Sequence, residues 1–294
     1  MDVSSRRTEG EVRTYVHRVL VEGAHPGGSK GTFLSEVTTR ETCVEALPRV
    51  SYASEVLFER LRIELRRSGE EGADVFDSAA PPPSGAAAET PFARRTAPHR
   101  LLAGSKITMV QRPSGLVERV EGVESLRERM CRDLAPEDPV RGGIERLLGL
   151  GSLRYLVGPN ILVPEHPASK GEERLFQDIR PLPETTGFPG LLYIRGKARF
   201  AGVEDGVARI EIEAEATLDP GPNMPPWPPA MAANRNRLRL QRGVCTGWAR
   251  ISVEKGVLLE DEHRTVLDLH FVKPDGTGEV PLPTTVTQST KLLK

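Results

Sequence analysis

"GLLYIRGKARFAGVEDGVARIEIEAEATLDP" occupies residues 190–220. Two alternating runs flank Glu204-Asp205-Gly206. Period-two alternation marks a half-buried strand, and an Asp-Gly pair between two such runs marks a hairpin turn. The stretch therefore predicts a β-hairpin and sets the class of the fold. In its second arm Arg209, Glu211, Glu213, Glu215 and Thr217 alternate with Ala208, Ile210, Ile212, Ala214, Ala216 and Leu218. Three carboxylates on one side of one strand can be an acid/base site, a cation site or a solvated charged face.

The run that follows the Pro-rich loop at 219–233 bears on that choice. "NRNRLRLQ" places Arg235, Arg237 and Arg239 on one face and Leu238 and Leu240 on the other. Folding the chain antiparallel about Pro226 sets Glu215 opposite Arg237, Glu213 opposite Arg239 and Thr217 opposite Arg235. Ala214 then meets Leu238, and Ile212 meets Leu240. One register matches charge with charge and apolar with apolar, and a slip of one residue would swap every face. Alternate residues on a strand lie about 6–7 Å apart, wide for a single metal ion. Arginine partners would also keep the carboxylates ionised, which suits acid catalysis poorly. The expectation is a charged outer face that selects register.

Working outward, the same strand chemistry recurs. "EVRTYVHRVLVEG", "TFLSEVTTRETCVEAL" and "ADVFDS" read as strands. So does "RVSYASEVLFERLRIELRRSG", in which Tyr52, Val56 and Phe58 share one parity and Leu61, Ile63 and Leu65 the other. That switch predicts a bulge. "KITMVQRPSGLVERVEG" is a hairpin turning at Pro113-Ser114-Gly115, and two central helices follow at about 123–134 and 137–150. The segment from Tyr155 to Pro189 reads as irregular, and the Pro/Ala-rich segment 79–98 as a mobile loop. Two further strands flank a turn at Glu254-Lys255-Gly256, and "VPLPTTVTQSTKLL" supplies the last. The expected class is α+β, mostly antiparallel β, with curved sheets forming a cradle or half-barrel around the two helices. The expected organisation is one β-rich domain over 1–294, with pseudo-halves 1–122 and 152–294 around the helices.

Composition narrows function by exclusion. The 294 residues include 28 Gly and 25 Pro, so turns are numerous; hydrophobic residues make up 38% and aromatics 5%. Forty basic against 41 acidic residues give a net charge of −1, so no global field favours nucleic acid or anionic lipid. The N-terminus has no apolar leader and no apolar run is long enough to span a bilayer. A cytoplasmic location is expected as written, or the cell envelope or periplasm if the N-terminus is truncated. Cys43, Cys131 and Cys245 are too widely spaced for a zinc knuckle and allow at most one disulfide; buried structural thiols are the expectation.

Few motifs carry chemistry. Asp261 and His263 share a strand face with Val257, Leu259, Thr265, Leu267 and Leu269. The pair is either a catalytic or ligand-binding site or part of the wet rim of a half-buried sheet. No nucleophile motif accompanies it. His17, His25, His99, His166, His263 and His270 show no metal-ligand spacing. "GAHPGGSKGT" mimics a phosphate loop, but Lys30 is followed by Gly31 and a strand. "PGPNMPPWPP" is read as a stiff connection rather than a polyproline ligand. No catalytic, cofactor or metal residue is assigned.

The order of parts also resembles a known family. "GSKITMVQRPSGLVERVEGVESLRERM" is similar to the central signature of an uncharacterised bacterial envelope-protein family, domain-of-unknown-function family 6263. "DVFDS" resembles the strand that precedes that signature, and "ILVPEHPASKGEERL" the segment that follows it, with Leu175 in the place of the family's Trp. The later hairpins and the Thr/Gln-rich "TTVTQST" continue the likeness. The resemblance implies a curved antiparallel cradle, a lipoprotein or secretory leader, and no established activity or catalytic residues. The functional expectation is a non-catalytic binding module for a lipid-like ligand or a protein segment. The alternatives are a structural or assembly protein acting through a surface or an edge strand, and a hydrolase using Asp261 and His263.

Overall fold

A computed structural model of the chain describes residues 7–24, 30–47, 50–149, 153, 156, 168–182, 190–219, 237–273 and 275–293. The phosphate-loop mimic, the Pro-rich loop and Arg235 lie wholly or largely outside these residues. The first half carries β1 (Val12–Ala24), β2 (Lys30–Leu47), β3 (Ser51–Arg67), β4 (Asp74–Asp77), β5 (Lys106–Gln111) and β6 (Val117–Glu121). The second carries β7 (Glu173–Pro181), β8 (Leu191–Glu204), β9 (Val207–Asp219), β10 (Leu238–Ser252), β11 (Val257–Val272) and β12 (Glu279–Leu292). Helices α1 (Pro91–Leu102), α2 (Val123–Cys131) and α3 (Pro139–Leu147) lie in the middle of the chain. None of the described helices is long and apolar enough to cross a membrane.

All twelve described strands join one antiparallel sheet in the order β6-β5-β3-β2-β1-β12-β11-β10-β9-β8-β7, with β4 against β3. Hairpins of consecutive strands build each half, as the turn chemistry requires. The halves meet where β1 pairs with β12, from Tyr15↔Leu292 to Gly23↔Thr284. In β3 the parity switch is a bulge: Thr38 faces Arg60 and Thr39 faces Phe58, which leaves Glu59 unmatched. Buried residues accordingly pass from Tyr52, Val56 and Phe58 to Leu61 and Ile63.

Two segments differ from expectation. The region read as a mobile loop, 79–98, contains a 3-10 turn at Gly85–Glu89 and most of α1. The helix start is chemically marked: Thr90 caps it by accepting from Ala93 N at 3.1 Å, and Pro91 follows at the first helical position. Pro98 inside the helix obscured the pattern. Its ring lies beside Gly143 of α3, where an added Cβ would stand 3.0 Å from Pro98 Cγ. The region read as irregular, 155–189, contains β7. Its alternation is inverted, with Leu175 and Ile179 exposed and Arg180 buried, so the usual polar-out cue points the wrong way.

The buried face carries two large apolar clusters. One joins β2–β6 to the three helices through Phe58, Leu61, Leu102, Met109, Leu126 and Ile144. The other is formed by β7–β12 and contains no helical residue among the described residues; Phe200, Ile210, Ile212, Leu267 and Leu269 lie in it. The second half covers itself by rolling. Arg180 on β7 reaches Gln288 on β12 and His263 on β11, although β7 and β12 stand five places apart in the sheet order. Small residues permit the bend. Gly196, Ala214, Ala216, Gly243 and Gly247 sit on the inner face of β8–β10. A Cβ added to Gly196 would overlap the Glu213 carbonyl oxygen and Ala214 Cα, and one on Gly243 would lie 2.6 Å from the Ala216 carbonyl oxygen. Glycine at such corners lets backbones approach where a side chain would hold them apart.

Candidate functional site

The carboxylate row on β9 is a charge ladder, with a different partner strand from the one expected. Arg195 faces Glu215, Lys197 faces Glu213 and Arg199 faces Glu211, all across β8. On the β10 side Glu215 meets Val244, Glu213 meets Thr246 and Glu211 meets Trp248. The register centred on Pro226 is thus corrected. Arg239 bonds Glu279 of β12's first residue instead, at 3.1 Å. The first hairpin already supplies the cations, so charge matching did not constrain the second. Arg199 donates to Glu211 at 2.6 Å and holds its carboxyl below the usual range. Both side chains are exposed enough for solvent to screen them. Glu211→Gln is expected to shift the melting temperature by no more than about 2 °C in a thermal scan.

Asp261 and His263 are not at a wet rim. Both are buried, on the inner face of β11. They belong to a polar belt that crosses the middle of the sheet between the two apolar clusters. At one end Arg7 pairs with the buried Glu41, donates to Ser54 Oγ at 3.1 Å and stacks over the Tyr52 ring at 5.2 Å. Burial works against the Arg7 charge, but Glu41 outweighs it and leaves the guanidinium held more firmly protonated. Next, His17 contacts Thr39 Oγ1 at 3.1 Å and Thr290 Oγ1 at 3.3 Å. Burial pulls His17 down to about 4. Asp261 Oδ1 accepts from Thr290 N at 2.9 Å.

At the far end Arg180 organises three groups. It donates to Asp178, to Gln288 Oε1 and to His263 Nδ1, the last at 3.1 Å. Burial, reinforced by Arg180, pushes His263 well below its ordinary value. A guanidinium only donates, so His263 Nδ1 must accept and its proton must sit on Nε2. Among the described residues that Nε2–H is buried without a hydrogen-bond partner, and so is the Gln288 amide nitrogen. The two residues face each other across β11 and β12. Gly247 lies on the other side of His263, where an added Cβ would stand 3.2 Å from the ring, and Phe176 approaches from β7 with ring centroids 5.9 Å apart.

The geometry separates the two residues singled out from sequence. Asp261 serves the β12 backbone, while His263 serves Arg180. The sulfur nearest in register, Cys245, is opposite Thr265, and burial raises its thiol away from the reactive thiolate form. All three cysteines are buried and free. Among the described residues no group of three or more His, Cys, Asp or Glu side chains could hold a metal ion. Arg180, Gln288, His17 and Glu41 were missed by sequence reasoning. The available signal was polar residues at inward parity, as in the Thr/Gln-rich run of β12.

No family model matches the sequence, and no curated protein matches it. Among solved structures the chain is similar to lipovitellin, in a study of its lipid–protein interactions, with 9% identity and a TM-score of 0.47. That match covers 98% of this chain and 26% of the other, so the chain spans about a quarter of the lipovitellin chain's length. It is also similar to OccK7 (OpdD) of Pseudomonas aeruginosa, with 7% identity and a TM-score of 0.21, over 98% of this chain and 99% of that one. Neither likeness carries a functional inference.

Proposed function

We propose that the chain is a non-catalytic binding module whose rolled sheet forms a half-barrel-like cradle for an apolar, lipid-like ligand. The observation that supports this is the apolar inner side of the rolled β7–β12 half, a buried cluster with no helical residue among the described residues. Helices α1 and α2 pack instead on β3, β4 and β5. Binding is favoured over hydrolysis because Asp261 and His263 have separate partners and Cys245 is a poor nucleophile. The resemblance to a bacterial envelope family is in keeping with the same reading.

Native mass spectrometry of the gently purified protein tests it. The expected result is one or more discrete lipid-mass adducts that disappear on organic extraction and return on incubation with lipid. An apo mass alone, with no uptake of added lipid, sinks the proposal.

A second reading rests on β7 itself. It is an edge strand whose outer side chains Leu175 and Ile179 are 63% and 55% exposed. Exposed apolar edge strands invite pairing with another chain. Ile179→Lys is expected to weaken any self-association seen by light scattering; a strictly monomeric wild-type protein removes this reading.

A further inference from the structure

Strand β7 is held unequally on its two sides. In the sheet it is an edge strand, and among the described strands it pairs with β8 alone. Across the roll it is fastened by Arg180, which donates to Gln288 and His263, and by Phe176 against the His263 ring. That fastening is poorly satisfied. Among the described residues the His263 Nε2–H and the Gln288 amide nitrogen are buried without a hydrogen-bond partner. Native interiors leave few polar groups in that state, because each loses its water for nothing in return. Arg180 is a buried cation as well, and burial of charge works against even a paired ion. Lifting β7 returns all three groups to water.

The fastening also depends on one protonation state. A guanidinium only donates, so Arg180 needs the lone pair of His263 Nδ1. An imidazolium has no such lone pair, and its charge would stand 3.1 Å from the guanidinium nitrogen. The other titratable groups nearby have different partners or no charge to offer. Asp178 of β7 is bonded to Arg180, and Asp261 on β11 accepts from Thr290 N. Cys245 of β10 is held towards the neutral thiol, and His17 of β1 lies beyond Thr290. Burial and Arg180 thus act together against a charged ring at 263.

We infer that β7 is an acid-released lid: Arg180 latches it to the neutral imidazole of His263 and to Gln288, and a proton on His263 frees it from β11 and β12. The lid uncovers the apolar side of β7–β12, so as the step that admits a ligand it rests on the binding-module reading. The motion itself needs no ligand and is tested without one.

Cys245 reports the motion. It is buried at inward parity on β10, close enough to Arg180 and Asp178 of β7 for both charges to act on its thiol. The full chain is treated with dithiodipyridine, which takes thiols in acid as well as at neutral pH, and the labelled peptide is identified by mass. Rates are divided by those of the urea-unfolded chain at the same pH. With the lid open, His263 regains its ordinary value near 6.5, so closure is fully favoured above that pH and weakens below it. The corrected rate should rise about 20-fold from pH 7 to pH 5. Local opening should leave it unchanged by low urea, whereas global unfolding would raise it steeply. His263→Gln keeps an acceptor for Arg180 but does not titrate, and should leave the rate flat over that range. His263→Met should do the same if the first variant folds poorly, and His17→Gln should keep the full rise. A wild-type rate that is flat from pH 7 to 5, or that climbs with the first urea added, overturns the lid. So does a rise that survives in the His263 variants. The binding module stands in each of these cases, because its own test is the lipid adduct; adducts absent while the lid behaves as stated remove the module alone.

Discussion

Gly196→Ala is expected to destabilise the protein by about 3 kcal/mol or more, at or above the upper end of the range for overpacked interiors. For a chain of this size that lowers the melting temperature by roughly 6–12 °C. The reason is local and steric. Gly196 faces Ala214 across β8 and β9, and an added Cβ would overlap two backbone atoms of β9, which cannot rotate away as a side chain could. The adjacent corner repeats the arrangement with Gly243 against Ala216. Gly206→Ala provides the contrast. A Cβ there meets nothing within 4 Å, and only its φ of +74° objects. It should cost about 1 kcal/mol. If thermal unfolding finds the two variants equal, the bend that brings β7 over β11 and β12 is looser than the geometry states. The contacts of Arg180 with Gln288 and His263 should loosen with Gly196→Ala as well, because they are made only across that bend.

Acid should unfold the protein earlier than its carboxylates alone would. His17 and His263 are both held neutral, His17 at about 4 and His263 well below its ordinary value, in each case first by burial. In the unfolded chain both take up a proton as the pH falls through about 6.5. The folded state resists, so the unfolded state binds more protons over that interval and stability falls with pH. The stabilisation is complete above about 6.5 and is lost progressively down to about 4 for His17. His17 alone accounts for roughly 2 kcal/mol by pH 5, and His263 adds to it. Urea midpoints at pH 7, 6 and 5 measure the slope. His17→Gln, which offers both a donor and an acceptor to Thr39 and Thr290, should flatten it. A wild-type midpoint that is constant from pH 7 to 5 would exclude two buried neutral histidines.

The strands were legible because each hairpin announces itself locally. Alternation supplied the arms, Asp205-Gly206, Lys255-Gly256 and Ser114-Gly115 supplied the turns, and the parity switch in β3 located its bulge. What failed was information carried at a distance or inverted in place. Strand β7 has Arg180 inward and Leu175 outward, and only its packing on β11 and β12 explains why. Charge matching points to the wrong β9–β10 register, because β8 holds the same glutamates in its own ladder. Helix α1 had a legible cap in Thr90-Pro91, hidden by the Pro and Ala around it. The candidate site was legible by half. Asp261 and His263 were visible as polar residues on an apolar face, yet their partners come from strands that sequence could not place beside them.

The central seam between β1 and β12 has a consequence for how the protein is made. His17 and Thr290, in contact there, are separated by 273 positions. At about 5–20 residues per second, a ribosome needs roughly 15–60 s to deliver the second strand after the first. Throughout that time one edge of β1 stays uncovered and its inward His17 and Arg13 lack their eventual surroundings. The first half can build its helix-backed cluster early, but the middle of the sheet must wait for nearly the last residues described. Nascent chains stalled before β12 should therefore recruit chaperones or pair wrongly, and refolding should be slow, as expected when a fold depends on contacts between its two ends.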